Sequence, residues 1–315
     1  MESFKSYLER CHPLPWTVKK EHTNKWLVGN HTLAINYVRF RLIAKAIRQY
    51  IDVNDPVVLD IGVYPGIVPQ LFSEYLTQIQ PKDYYGIGLG FHEDFSKAME
   101  GFGVTLLECD LEPRLHLHNG RSTSISVDDD SIDFVVFTDV IEHFYDPFYP
   151  LKEINRVCRE GAVMVLTTDN LTRLVNLQGM LRGKSSNVPL IEGNLFYTGD
   201  WRPHFREYSR EELFQLLKWA GFEILEHQFY EAEFGKYHLM DGHLIKKNPE
   251  NSSLKGKLKS VIRDKVVNLI PHFRDNHIIV VRKVESYENM VIKAPKIVNN
   301  FDEWINQRQT FGKSR

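Results

Sequence analysis

Cysteine is scarce in this chain: Cys11, Cys109 and Cys158 are its only three, widely spaced and odd in number. Neither a disulfide framework nor a thiolate zinc site follows from that spacing. Long apolar runs are missing too, so no segment reads as a membrane span. Residues 1–10 are polar and charged and lack the apolar stretch of a signal peptide. No excess of one charge stands out either. The 39 basic and 41 acidic side chains give a net charge of −2, which provides no overall basic field to collect nucleic acid. Internal repeats and low-complexity tracts are absent. The expected compartment is the cytoplasm. With 43% hydrophobic and 25% charged residues, the 315-residue chain has the balance of an ordinary globular protein. It is long enough for one large α/β domain with additions.

What the chain does have is a stretch around which the rest is ordered, Val57-Val58-Leu59-Asp60-Ile61-Gly62-Val63-Tyr64-Pro65-Gly66. Its short apolar run reads as a buried strand of a parallel sheet. Beyond the turn, Ile67, Val68, Leu71, Phe72, Tyr75 and Leu76 follow helical spacing. Strand, glycine turn and helix form a corner where backbone N–H groups can meet a ligand. The turn lacks the GxGxxG of the dinucleotide fingerprint, because Val63 to Val68 do not supply its glycines. Asp60 stands two positions before the first glycine, where a carboxylate suits water or a cationic ligand group better than a pyrophosphate. A purely structural strand–turn–helix has the same pattern.

The alternation continues downstream. Strands are expected at 84–88, 104–108, 132–137, 162–167, 222–229 and 277–283, and helices at 93–100, 148–158 and 171–181. Ahead of them a helix is expected from Thr32, with Leu33, Tyr37, Phe40, Ile43, Ala44 and Ile47 on one face. Strands separated by helices imply βαβ units and a parallel sheet. Ligands of such sheets lie beyond the carboxyl ends of the strands, and Asp60, Asp110, Asp139 and Asp169 all fall there. Ser209-Arg210-Glu211-Glu212 is a capping box that opens a helix closed by Gly221. The irregular loop before it, through Gly193, Gly199 and Trp201 to Tyr208, has the length of a functional loop. Leu254 to Phe273 is basic with its apolar residues largely on one face. It either packs on the domain or makes weak contact with an anionic membrane surface. The divisions are an N-terminal arm and cap helix at 1–55, a core at 56–240, a basic helical insertion at 241–275, the last core strand at 276–284 and a tail at 285–315.

The order of these parts resembles the class I S-adenosylmethionine-dependent methyltransferases. Asp139-Val140-Ile141-Glu142-His143, followed by Asp146-Pro147, is similar to the signature of a large branch common in polysaccharide and small-molecule gene clusters. His204-Phe205-Arg206-Glu207-Tyr208-Ser209, with Glu212-Leu213 and Gly221-Phe222, resembles the later motif of that branch. The resemblance implies an α/β, Rossmann-like fold. Its seven-stranded, mostly parallel sheet carries helices on both faces, its last strand is antiparallel, and a helical cap precedes it. S-adenosyl-L-methionine is then the cofactor. Asp60, Gly62, Tyr64 and Gly66 would lie along its methionine part, Asp110 and Leu111 at its adenine, and Asp139 at the methionine end. Three positions depart from the family pattern. Tyr64 replaces the middle glycine of the turn, Gly88-Leu89-Gly90 stands where an acidic residue usually ends strand two, and Thr168-Asp169-Asn170 replaces Thr-Pro-Asn.

Methyl transfer is an in-line displacement, so the protein must align the acceptor, exclude water and remove a proton when the acceptor is a hydroxyl. His143 is the first candidate for that base and His204 the second, since an imidazole accepts a proton near neutral pH. A structural histidine holding the loop after strand four is the alternative for His143. Asp139, Asp169 and Asn170 could instead hold a Mg²⁺, although the pattern leans against a metal. Tyr197, Trp201, Arg206 and Tyr208 are candidates to line the acceptor side, because aromatic faces suit a sugar ring and Arg suits an anion. The expected partner is a glycan or small hydroxylated acceptor, not nucleic acid. Rival readings are a catalytically silent scaffold that binds the cofactor and, less favoured, a dinucleotide oxidoreductase.

Overall fold

The computed structural model describes residues 4, 7, 36–113, 121–186, 202, 204–231, 237–240, 243–246 and 254–289. Helix α1 (Tyr37–Tyr50) buries Val38, Phe40, Ile43, Ala44 and Ile47, and with them Arg39. Phe4 and Tyr7 reach the same region, their rings 5.3 and 5.0 Å from that of Tyr75. Strand β1 (Val57–Ile61) runs into the glycine turn and α2 (Ile67–Gln70), which passes into a π-helical turn at Leu71–Tyr75. The helix expected over 67–76 is therefore present, with its second half widened. Then come β2 (Asp83–Gly88), α3 (Glu93–Gly101), β3 (Val104–Glu108), β4 (Ile132–Thr138), α4 (Phe148–Val157) and β5 (Cys158–Asp169). After α5 (Leu174–Met180), α6 (Arg210–Trp219) and β6 (Phe222–Tyr230), the chain forms β7 (Tyr237–Met240), β8 (His243–Lys246), α7 (Leu254–Leu269) and β9 (Asn276–Lys283).

Seven strands make one sheet in the order β3-β2-β1-β4-β5-β9-β6. The first five pair in parallel, and β9 runs antiparallel to both β5 and β6. This is the expected α/β architecture. Strand alternation explains its two cores. On one face Val58, Phe134, Val136, Val163, Val165, Ile278 and Val280 share a cluster with α1 and α2 side chains. On the other, Leu59, Val135, Phe137, Met164, Leu166, Ile279 and Val281 share one with α4 and α6 side chains. Strands covered on both sides need apolar residues at every position, which is why they read as continuous apolar runs. Burying each such large side chain stabilises the fold by about 1.5–3 kcal/mol.

The separate hairpin β7–β8 was not among the expected elements. Its signal was in the sequence, since Asp241-Gly242 between the two segments is a hairpin dipeptide. Helix α7 is the basic segment. Its Val267 is buried, its Val261, Ile262 and Leu269 are exposed, and its Arg263 pairs with Glu231 and Asp275. Among the described residues no helix is long and apolar enough to cross a membrane.

Candidate active site

The site is built from the carboxyl ends of β1, β2, β4 and β5. After β1, Gly62 and Gly66 both take φ of +78°. A Cβ on Gly62 would lie 2.4 Å from Cγ2 of Val140, so the turn demands glycine there for conformation and for space. The N–H groups of Gly62 and Val63 donate to the Ile87 carbonyl at 2.9 and 3.2 Å, which fastens the turn to β2. Tyr64 closes the corner. Its ring lies 4.0 Å from that of Phe95 and stacks on Phe91, and its hydroxyl donates to the Gly90 carbonyl at 3.1 Å. Gly88 leaves room for Phe91, whose Cε1 would meet a Cβ at 2.8 Å. An aromatic wall thus stands where the family pattern has a carboxylate.

Asp60 is 2% exposed and accepts a hydrogen bond from the Tyr84 hydroxyl at 2.9 Å. Burial pushes its carboxyl up to about 7, against the opposing pull of Tyr84 and Arg39. Arg39 enters from α1, is itself buried, and pairs with Asp139. Burial lowers its pKa, while Tyr230, Glu142, Asp169 and Asp60 work in the other direction. Its Nε has no hydrogen-bond partner among the described residues. Asp139 adopts φ of +51°, donates its backbone N–H to the Thr167 carbonyl at 2.9 Å and accepts from the Thr167 hydroxyl at 2.5 Å. Asp is among the few non-glycine residues that tolerate that backbone region. Sequence reasoning missed Arg39. The available signal was a cation four residues before Ile43 and eight before Ile47, on the helix face otherwise set for the core.

At the far end of the corner, Asp110 and Leu111 are both buried. The guanidinium of Arg202 forks onto Asp110, with N–O distances of 2.8 and 2.5 Å. Arg202 was also missed, and no periodicity marks it.

A second cluster forms where a 3₁₀ turn, Ile141–His143, meets the segment 204–206. Phe205 donates its N–H to the Glu142 carbonyl at 2.8 Å, and this backbone bond brings His204 against His143. The two rings meet edge-on with centroids 4.6 Å apart. His143 donates from Nδ1 to the Arg202 carbonyl at 2.6 Å, and Nδ1 of His204 lies 3.2 Å from Oδ2 of Asp169. Burial works to raise the Asp169 pKa, but His204 and Arg173 outweigh it and hold the carboxyl below its ordinary value. For His204, burial lowers the pKa and the hydrogen bond to Asp169, with the charges of Glu142, Asp169 and Glu207, more than offsets that. Glu142 is 1% exposed and accepts from the Thr168 hydroxyl at 2.8 Å. Burial raises its carboxyl to about 7, with His204 and Thr168 pulling the other way.

The remaining sequence candidates are not gathered at this place. Asn170 is buried and its amide is fully engaged: it donates to the carbonyls of His272 and Arg274 at 2.8 and 2.7 Å, and its oxygen accepts from Thr172. These bonds tie the end of β5 to the segment after α7 and occupy the Asn170 oxygen that the set Asp139, Asp169 and Asn170 would need. Tyr208 is buried in the core, with its carbonyl accepting from His277 at 3.1 Å. Arg206 pairs with Glu212 and lies over the Tyr208 ring. Tyr197 and Trp201 lie outside the described residues.

A sequence profile of the methyltransferase-domain family matches residues 35–227. The chain belongs to that family. A Mycolicibacterium smegmatis protein named as a probable S-adenosylmethionine-dependent methyltransferase is 34% identical over 112 residues, which make up 36% of this chain and 37% of that protein. The match thus spans little more than a third of the relative's length. Among solved structures, a SAM-dependent methyltransferase from Archaeoglobus fulgidus is 22% identical with a TM-score of 0.44, over 80% of this chain and 99% of that one. Phosphoethanolamine N-methyltransferase 2 of Haemonchus contortus, in complex with S-adenosyl-L-methionine, is 14% identical with a TM-score of 0.47, over 90% of this chain and 61% of that one.

Proposed function

We propose that the protein is a cytoplasmic S-adenosylmethionine-dependent methyltransferase of the DVIEH-type branch, acting on a hydroxyl of a sugar, polysaccharide or other small acceptor. The observation that carries this reading is the placement of opposite charges at the strand ends. Arg39, buried and with Nε unpartnered among the described residues, stands beside Asp60 and Asp139 next to the glycine turn. The amino-acid end of the cofactor is a zwitterion and suits such a place, its carboxylate on the guanidinium and its ammonium on the carboxylates. Tyr64, with Phe91 and Phe95, would flank the middle of the cofactor, and Asp110 with Leu111 the adenine. Arg202 then shares Asp110 with the base or moves off it.

The cofactor supplies an electrophilic methyl group on a sulfonium. The chain's own residues align the acceptor with it and exclude water. The acceptor's proton leaves at the pair His143–His204. Both rings set Nδ1 against an oxygen acceptor, which places the N–H of each neutral ring on Nδ1 and its basic nitrogen at Nε2. Tyr197 and Trp201 would offer the acceptor aromatic faces; the pairing of Arg206 with Glu212 and the burial of Tyr208 speak for packing roles instead.

Two measurements test this. The first is calorimetric binding of S-adenosylhomocysteine. The second is transfer of labelled methyl from S-adenosylmethionine into fractionated extract. Label in a glycan or small-molecule fraction is the expected result. Label in protein or nucleic acid overturns the acceptor class, and tight binding with no label in any fraction favours the silent scaffold. Arg39→Ala should weaken cofactor binding at least tenfold. His143→Ala should leave binding intact and lower turnover by about 100-fold or more, the usual range for a lost proton-transfer group.

A further inference from the structure

The side chain of Arg202 and its backbone carbonyl are engaged at two different places. The guanidinium forks onto Asp110 at 2.8 and 2.5 Å, and the carbonyl accepts from Nδ1 of His143 at 2.6 Å. Asp110 follows β3 and His143 follows β4, and β2 and β1 lie between those strands in the sheet. Strand pairing therefore does not set where one stands relative to the other. The N–H of Asp146 donates to Glu112 at 2.8 Å and joins the segments that follow the two strands, but that link ends beyond the ring. Arg202 reaches the ring itself.

The fork is what holds that carbonyl. Both partners are buried, their side chains 6% and 1% exposed. Nε of Arg202 has no hydrogen-bond partner among the described residues, so Asp110 is the group there that fixes the guanidinium. Two parallel bonds set its orientation as well as its place, and through the side chain they restrain the backbone that carries the carbonyl. The anchor is itself firm. The N–H of Asp110 donates to the Ser122 carbonyl at 2.8 Å, and its Oδ1 also accepts from the Glu112 N–H at 3.2 Å. Parting the pair would leave two buried charges uncompensated, and one hydrogen bond from a neutral adenine amino group does not replace that. The fork therefore persists with the cofactor bound, and Asp110 accepts from both.

We infer that Arg202 is a positioning residue for the methyl transfer: anchored on Asp110, it holds the carbonyl that selects the Nδ1–H tautomer of His143 and aims the ring. The inference rests on the methyl-transfer reading and deepens it. Which nitrogen of a neutral imidazole is basic is set by the hydrogen bond that the other nitrogen makes. The same carbonyl accepts more strongly from the imidazolium formed when the acceptor's proton arrives, because a charged donor makes the stronger bond. Asp110 is also the residue assigned to the adenine. One strut thus joins the adenine end of the site to the group that takes the proton, and damage at Asp110 reaches His143.

The test reads the ring directly. Long-range proton–nitrogen correlations on full-length protein carrying isotope-labelled histidine report the tautomer of each neutral imidazole, with His143 assigned by the signals lost in His143→Gln. The unmodified protein should show His143 as Nδ1–H alone. Arg202→Met, and Asp110→Ala, which removes only the anchor, should each give a mixture of tautomers. Arg202→Lys, which keeps the charge without the fork, should give a smaller admixture. Signals of His227 and His277, which pair with each other, are the control for folding; if they move in Arg202→Met, Arg202→Lys decides. In labelled-methyl transfer Arg202→Met should lower kcat by about 10–100-fold, as misplacement of a reacting group does, with S-adenosylhomocysteine binding retained. In a His143→Ala background the same substitution should cost nothing further, since the two residues act as one. A His143 tautomer that is not Nδ1–H, or is unchanged in the Arg202 variants, overturns the positioning role, as does a loss of kcat that adds to that of His143→Ala; the methyltransferase reading then stands. Failure of the unmodified protein to bind S-adenosylhomocysteine overturns the reading beneath it, and the role of Arg202 with it.

Discussion

His227 and His277 face each other across β6 and β9, with a nitrogen–nitrogen distance of 3.0 Å. Burial, helped for both by Arg210, pushes them down to about 4 and about 3. Both rings are neutral in the folded protein at pH values where the unfolded chain already takes up protons. Their contribution to stability is therefore complete above about 6.5 and is lost as pH falls toward about 4 and 3. Asp60 has the opposite sign. Its carboxyl is raised to about 7, so its folded state holds a proton that the unfolded chain gives up, and stability declines as pH rises from about 3.8 to about 7. His277→Gln should flatten the fall in melting temperature between pH 6.5 and 4. Asp60→Asn should raise the melting temperature more at pH 8 than at pH 5, and a uniform shift would contradict the assignment. Gly62→Ala should cost about 1–2 kcal/mol from the left-handed backbone alone, plus the clash with Val140, seen as a lower melting temperature. At this scale the glycine turn was legible because local pattern places it. Arg39, Arg202 and the inward burial of Tyr208 were not, since each depends on what the fold sets opposite them.

Among the elements, α6 is the best determined by its own sequence. The Ser209 hydroxyl accepts from the Glu212 N–H at 3.3 Å, and the Glu212 carboxylate accepts from the Ser209 N–H at 2.9 Å. Ser209→Ala should destabilise the protein by about 1 kcal/mol, measured by denaturant unfolding, without altering cofactor affinity. The core strands were readable from their apolar runs, because both faces are covered. Their ends were less so: β5 begins at Cys158, four residues before the apolar run at Ala162, where Cys158 pairs with Ile132 and the polar Arg159-Glu160-Gly161 fall in a register shift before Val163 pairs with Phe134. The π-helical turn at Leu71–Tyr75 had no counterpart in the spacing, since a widened turn keeps nearly the same buried positions. Helix α7 was legible as an amphipathic segment. Which side it buries was not: in the structure Val267 is buried and Arg263 pairs with Glu231 and Asp275.

Over the whole molecule, one feature of the connectivity stands apart. Strand β9 follows β6 in the chain but lies between β5 and β6 in the sheet. It contributes Ile278 and Val280 to one core and Ile279 and Val281 to the other. Ending the chain at residue 275 should leave the protein insoluble rather than merely less stable, as judged by the soluble fraction on expression, because two long strands would lose their common neighbour. Recovery of a soluble, folded product would show that β5 and β6 can pair without β9. The same order has a consequence in time. During synthesis β5 and β6 leave the ribosome well before the strand that joins them, so the nascent chain carries two open edges until residue 283 has emerged. That interval, set by connectivity rather than by the final stability, is when the protein is most exposed to wrong partners.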